Sequence, residues 1–346
     1  MTAPALEAVT NLRRLALAAG HAAALRAAVQ LGVADALGEE PATAAELARL
    51  VNAEPGTLDR LLRALSSQGV FIAQGDRYAH TPVSRLLRGD TPRSLRDMVL
   101  WATEPWTWEV WPRLADAVRT GKGGFGETHG KDFFTYLYED APESAEVFNR
   151  AMTQASRLSS GAIAETLDLH GDLTVVDVAG GHGDLIATVL ERDPSLRGAL
   201  FDLPGVLEDV DPRLRKGGAL DGRCRLVAGD CRESVRVEAD VFILKNVLEW
   251  DDAATVAALR NVAASARPGG RVVVIENLVD GSPETGFTTA MDLLLLLNVD
   301  GRKHLRRSLL RLVEEAGLTV TDVRPVGPYL HMIDSRVPEG GGDTGR

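Results

Sequence analysis

The sequence predicts an α/β protein: a doubly wound sheet domain preceded by an N-terminal, mainly helical unit that resembles a winged helix. Three observations carry this. From about Thr174, short β-branched runs alternate with helical ones. The first hundred residues are rich in Ala and Leu at helical spacing, interrupted by one hairpin pattern. A glycine-rich loop, "VAGGHGD", directly follows the first β-branched run.

The stretch before Gly38 reads as an amphipathic structural helix, since Arg13, Arg14, His21 and Arg26 break any signal-peptide core. In "PATAAELARLV", Thr43 and Glu46 stand at capping-box spacing. "EPGTLDRLLRALSSQGVFIAQGDRYAH" predicts a second helix, a glycine stop and two strands turning at Gly75-Asp76. Such a unit either places Arg60 and Arg63 on a DNA-reading helix or packs its leucines inward as a dimerisation or lid module. Acids and bases nearly balance here, which favours the second. Residues 100–165 are helical and aromatic, with Trp101, Trp106, Trp108 and Trp111 close together. Aromatics at helical spacing are more often core, but this density points toward a flat apolar ligand.

Beyond them, "TVVDVAGG", "RGALFDLP", "CRLVAGD", "ADVFILKNV", "GGRVVVIENLV", "LTVTDVRPVG" and "YLHMIDS" predict seven strands. Continuously apolar strands imply a parallel sheet covered on both faces, with ligands at the strands' carboxyl ends. The expected division is residues 1–100, then 101–346, the latter split into a ligand-pocket segment (101–165) and a sheet domain (166–346).

The chain has 346 residues, enough for two domains, and a formal charge of −11 that disfavours nucleic acid or an anionic membrane as partner. Its two cysteines, Cys224 and Cys231, have no metal-ligand spacing and give no disulfide framework, so a reducing cytoplasm is expected. No segment approaches the ~20 apolar residues of a membrane helix.

The loop in "VVDVAGGHGD" narrows the ligand. A dinucleotide fingerprint needs a third glycine where Ile186 stands. The alternative acid-x-Gly-x-Gly-x-Gly pattern is met by Asp177, Ala179, Gly181 and Gly183, which suits a small zwitterion without a diphosphate. Asp202 ends the second strand, where an acid accepts hydrogen bonds from a ribose diol. Asp230 ends the third, where a carboxylate can take an adenine amino group. Three acids at successive strand ends suit S-adenosylmethionine.

With these motifs in place, the chain resembles the small-molecule O-methyltransferases of the plant caffeate/flavonoid type and their bacterial antibiotic-pathway relatives. The likeness runs through "FNRAM", "VVDVAGGHGD", "FDLPGV", "GDC", "LKNVLEWDD", "ARPGGRVVVIE" and "MDLLLLLNVDGRK". It implies a Rossmann-like methyltransferase domain, a homodimer, S-adenosylmethionine turned over to S-adenosylhomocysteine, no metal, and a phenolic or polyketide-like acceptor. On that basis Gly180, Gly181, Gly183, Leu203, Gly229, Cys231, Lys245 and Trp250 join Asp177, Asp202 and Asp230 as cofactor candidates. The acceptor candidates are Trp101, Trp106, Phe148, Met152, Asn246, Met291 and Asn298.

Three departures matter. Ala179 replaces the family's first glycine, which a methyl group tolerates if φ is negative. The family's Leu-His-Asp-Trp becomes Leu248-Glu249-Trp250, so the usual histidine base is gone. The glutamate that would orient that histidine is replaced by Lys303, while Glu276 keeps the other flanking acid.

Glu249, Lys303 and Glu276 are therefore the catalytic candidates. A phenol's pKa is ~10 and a free glutamate's ~4.3, so proton transfer to glutamate is uphill by roughly 8 kcal/mol, against about 5 for histidine. A neighbouring lysine widens the gap. Simple replacement of one base by another is thus a poor explanation. Either the pair is a structural ion pair, or it serves an acceptor that arrives acidic, or Lys303 holds an anion while Glu249 orients an amine or hydroxyl. An acidic ring would also open C-methylation.

Two readings of other kinds stay open. A methyltransferase-fold enzyme without a base could perform decarboxylation, hydroxylation or pericyclic chemistry around a structural cofactor. A ligand-sensing regulator could use the winged helix on DNA.

Overall fold

A computed structural model describes residues 3–283 and 285–339. The chain forms two compact units: residues up to Trp108 together with Glu146–Ala155, and Glu109–Ala145 together with everything from Ser156.

In the first unit the expected N-terminal helix is three helices, Ala3–Ala16, Ala18–Gln30 and Val33–Ala36. Gly32, at φ 68°, supplies the left-handed residue that ends the second. Thr43 and Glu46 form the capping box at the head of Ala44–Leu50. The helix Pro55–Ser67 buries Leu58, Leu62 and Leu65, one face of a 3.6-residue period. Strands β1 (Ala42–Thr43), β2 (Phe71–Gln74) and β3 (Arg77–His80) make a small antiparallel sheet, its hairpin turning at Gly75. Arg60 and Arg63 lie on the exposed side of their helix, and Arg63 pairs with Asp59 at 3.0 Å.

The second unit is built on seven strands: β4 (Thr174–Val178), β5 (Arg197–Asp202), β6 (Cys224–Ala228), β7 (Ala239–Lys245), β8 (Ala266–Glu276), β9 (Thr319–Val326) and β10 (Leu330–Arg336). Their order is β6-β5-β4-β7-β8-β10-β9. Alternate residues serve opposite faces. Phe242, Leu244, Val272 and Val274 join one core with the helices Asp252–Ser265 and Arg306–Glu315. Val241, Ile243, Val273 and Ile275 join another with Ser160–Leu167 and Asp184–Arg192. Both faces being apolar is why these strands read as continuous rather than alternating runs.

The sheet is not wholly parallel. β10 inserts between β8 and β9 and runs antiparallel to both. The connection from β9 is a tight turn at Gly327, and a hairpin-length link can only join antiparallel strands.

Candidate active site

The carboxyl ends of β4, β5 and β6 are stitched together by backbone. Ala179 N–H donates to the Phe201 carbonyl at 2.7 Å, and Gly229 N–H to the Asp202 carbonyl at 2.9 Å. Gly181 N–H reaches the Asp202 carboxylate at Oδ2 (2.8 Å), and Leu203 N–H takes Oδ1 (2.7 Å). The two oxygens each keep acceptor capacity for further donors, as a ribose diol requires. Burial pushes the Asp202 carboxyl up to about 6.

The glycines are sterically required. A Cβ on Gly180 would lie 2.5 Å from Asp177 Oδ2, and one on Gly229 would lie 2.6 Å from the Phe201 ring. Gly181 and Gly183 have φ of 62° and 86°. Ala179 also takes a left-handed φ of 52°, which corrects the expectation of a negative angle there. Its amide must turn back to Phe201, and that geometry outweighs the clash of its methyl group.

Beneath the loop, Asp177 is buried, burial drives its carboxyl up to about 7, and its Oδ2 has no hydrogen-bond partner. A buried acceptor left over under a glycine-rich turn, beside a ribose-competent acid, fits S-adenosylmethionine. Lys245, at the end of β7, donates to Ser156 Oγ at 2.8 Å. Burial lowers its pKa, and Asp177 opposes that most strongly.

Asp230 is placed differently from the expectation of a free strand-end acid. Its carboxylate is held by Arg232, with Nη2 at 2.6 Å and Nε at 3.1 Å, and that contact lowers its pKa. The Arg232 guanidinium also lies 5.5 Å from the ring centre of Trp250. Next to it Cys231 is buried, its thiol driven by desolvation up to about 12.

The loop after β7 carries Glu249. Asn246 turns the chain at φ 49° and its N–H donates to the Ile275 carbonyl at 2.9 Å. Val247 and Leu248 N–H both donate to Glu276 Oε1 at 3.1 Å, so this buried acid braces the loop. Burial raises Glu276 to about 8 while Lys303 opposes the rise. On the other side, Arg302 N–H donates to the Glu249 carbonyl at 3.0 Å. Gly301 packs so closely that a Cβ there would sit 2.0 Å from that same oxygen.

This docking aims the Lys303 ammonium at the Glu249 carboxylate, to which it is hydrogen-bonded. Burial alone would lower Lys303, but Glu249 and then Glu276 outweigh it and its pKa rises. The two side chains differ in exposure: 19% for Glu249 and 7% for Lys303.

Of the acceptor candidates, Trp101, Trp106, Phe148 and Met152 lie in the first unit. There Trp101 and Phe148 meet edge to face at 6.0 Å, and the Trp106 indole is buried. Asn246, Met291 and Asn298 lie in the second. Met291 and Asn298 are two helical turns apart on Thr285–Val299, and Asn298 Oδ1 is buried without a partner.

Sequence reasoning missed several residues. Asp184, just after the loop, is buried and held by Ser160 Oγ (2.7 Å), Arg213 (3.1 Å) and Arg157 (3.7 Å). Its place in "GGHGD" was a signal for it. His304, buried, donates from Nε2 to the Leu248 carbonyl at 2.6 Å, and nothing in its neighbours announces this. Gly301 and Asp292, which accepts from Lys303 N–H at 2.6 Å, carry no local mark either.

Known proteins resemble this chain over most of its length. A family model described as an O-methyltransferase domain matches residues 111–319, and an O-methyltransferase dimerisation domain matches 14–90. The mitomycin biosynthesis 6-O-methyltransferase of Streptomyces lavendulae is 38% identical over 312 residues, covering 89% of this chain and 88% of that protein. The structure of the mitomycin 7-O-methyltransferase superposes with a TM-score of 0.86 at 36% identity, covering 97% of this chain and 100% of that one. An O-methyltransferase from neocarzinostatin biosynthesis was solved with S-adenosylmethionine and 2-hydroxy-5-methyl naphthoic acid. It gives 0.76 at 31% identity, over 91% and 95% of the two chains. On the strength of a family model spanning well over half its length, and of relatives matched nearly end to end, this chain belongs to the O-methyltransferase family.

Proposed function

We propose that this S-adenosylmethionine-dependent methyltransferase modifies a small aromatic or polyketide-like acceptor in secondary metabolism, with its cofactor lying across the ends of β4, β5 and β6. The single observation that supports the placement is the closure of the glycine loop onto Asp202 through Gly181. When bound, the cofactor supplies an electrophilic methyl group on a sulfonium. Asp202 would hold the ribose diol, and Asp177 and Lys245 would line the amino-acid end. Gly180, Gly181 and Gly183 would offer backbone at close range. Leu203, Gly229, Asp230, Cys231 and Trp250 would border the adenine, with Asp230 sharing its carboxylate between the base and Arg232. Trp101, Trp106, Phe148 and Met152 in the first unit, and Asn246, Met291 and Asn298 in the second, are the proposed acceptor-binding residues.

Residues 1–100 would serve as the dimerisation module of a homodimer, 101–165 as the acceptor segment and 166–346 as the cofactor domain. Among the described residues no helix is long and apolar enough to cross a membrane. With two unpaired cysteines, this supports a cytoplasmic setting.

Titration calorimetry tests the cofactor site. S-adenosylhomocysteine should bind in the micromolar range, roughly −8 kcal/mol. Asp202→Ala should weaken it by about 1.5–3 kcal/mol, as expected for a lost charge-assisted hydrogen bond. Wild-type protein that binds neither cofactor form would overturn the placement.

A further inference from the structure

We infer that the acceptor presents a neutral aromatic amine to Glu249, and that this chain methylates nitrogen. The inference rests on the proposed site and on three features of its Glu249 corner.

First, the ammonium of Lys303 is committed. It is hydrogen-bonded to Glu249, its side chain is only 7% exposed, and it lies in the field of Glu276 and Asp292 as well. It is not free to hold an acceptor anion. Second, the more exposed member of the pair is the carboxylate, at 19%. Third, the surroundings carry net negative charge. Glu249, Glu276 and Asp292 face one ammonium, so the cluster stays negative whether or not Glu276 holds a proton. Lys245 acts on the same group from the cofactor side, but Asp177 and Asp184 face it there. The nearby His304 ring donates to the Leu248 carbonyl and is held uncharged by burial.

A phenol must lose its proton before it attacks, and a phenolate placed here would meet a carboxylate without a free cation. An arylamine attacks as the neutral molecule. Its nitrogen lone pair forms the N–C bond while the S–C bond of the sulfonium breaks and sulfur keeps that electron pair. Positive charge passes from sulfur to nitrogen, and one N–H proton then leaves to Glu249 or to water. Glu249 accepts an N–H from the amine beforehand and stabilises the cation that develops, which is differential binding of the transition state. The family's histidine–glutamate pair, reversed to glutamate–lysine, thus changes the sign of the charge the site favours.

Two measurements on the full chain test this. Loaded with S-adenosylhomocysteine, wild-type protein should bind phenyltrimethylammonium at least about tenfold more tightly than the isosteric, neutral tert-butylbenzene. Glu249→Gln should abolish that preference. With S-adenosylmethionine and 5-amino-1-naphthol, which offers both nucleophiles on one ring system, mass spectrometry should find the methyl group on nitrogen. The double change Glu249→His with Lys303→Glu should move it toward oxygen. Equal or reversed binding of the two probes, no binding of either, or methyl on oxygen or carbon in the wild type overturns the inference and leaves the cofactor site standing. Failure to load S-adenosylhomocysteine at all overturns both.

Discussion

Ala179 holds a left-handed backbone, φ 52°, in a loop whose neighbours Gly181 and Gly183 adopt the same region freely. An L-residue there costs roughly 1–2 kcal/mol, and the extra freedom of an unfolded glycine costs about 0.5–1. Ala179→Gly should therefore raise stability by up to about 1.5 kcal/mol, read as a higher denaturant midpoint with unchanged slope. Asp177 lies below it, driven by burial from 3.8 up to about 7. The folded state thus holds this proton more tightly than the unfolded chain does. The group's stabilisation is complete below pH 3.8 and is lost as pH rises through about 7. Asp177→Asn removes that loss. It should stabilise the ligand-free protein by up to about 4 kcal/mol near pH 8, with the gain vanishing toward pH 4. Thermal melts across that range check it, and a gain that grows toward low pH would refute it.

The loop after β7 and the segment 300–304 form one docked element. Glu276 holds the loop from one side through two N–H groups, and Gly301 and Arg302 hold it from the other. Gly301→Ala puts a methyl group 2.0 Å from the Glu249 carbonyl, a contact only backbone movement can relieve. It should cost about 1–3 kcal/mol and loosen the Glu249–Lys303 pair. Gly286→Ala is the matched control, since no atom lies within 4 Å of its added Cβ. If both variants melt alike, the docking does not hold the loop. Elements of this kind are where reading a sequence falls short. The Thr43 capping box and the Gly75 hairpin turn are visible because their partners lie within a few residues. Lys303 and Glu249 are 54 residues apart, and no local pattern joins them.

At the scale of the whole molecule, the helix Ala3–Ala16 and the residue after it leave Leu6, Leu12, Leu15 and Leu17 between 55% and 68% exposed. The dimerisation-domain match begins at residue 14, within this stripe, so that Leu15 and Leu17 fall inside it, and the stripe is expected to bury itself against a second copy. Light scattering should give twice the chain mass at micromolar concentration. Leu12→Asp, which puts a charge in the middle of the stripe, should shift the protein toward the monomer. A wild-type monomer would refute the homodimer.

The sequence by itself determined the sheet, the two buried faces of its strands, the glycine loop and the acids at three successive strand ends. Each is written in a short period or at a fixed offset from a turn, so neighbouring residues suffice to specify it. Tertiary structure alone decided that β10 inserts between β8 and β9, that Ala179 turns left-handed, and that Asp292, His304 and Gly301 gather around Glu249. It also decided which half of the Glu249–Lys303 pair is the more exposed. These features depend on groups far apart in the chain competing for the same buried space and charge, a balance that exists only once the fold has closed.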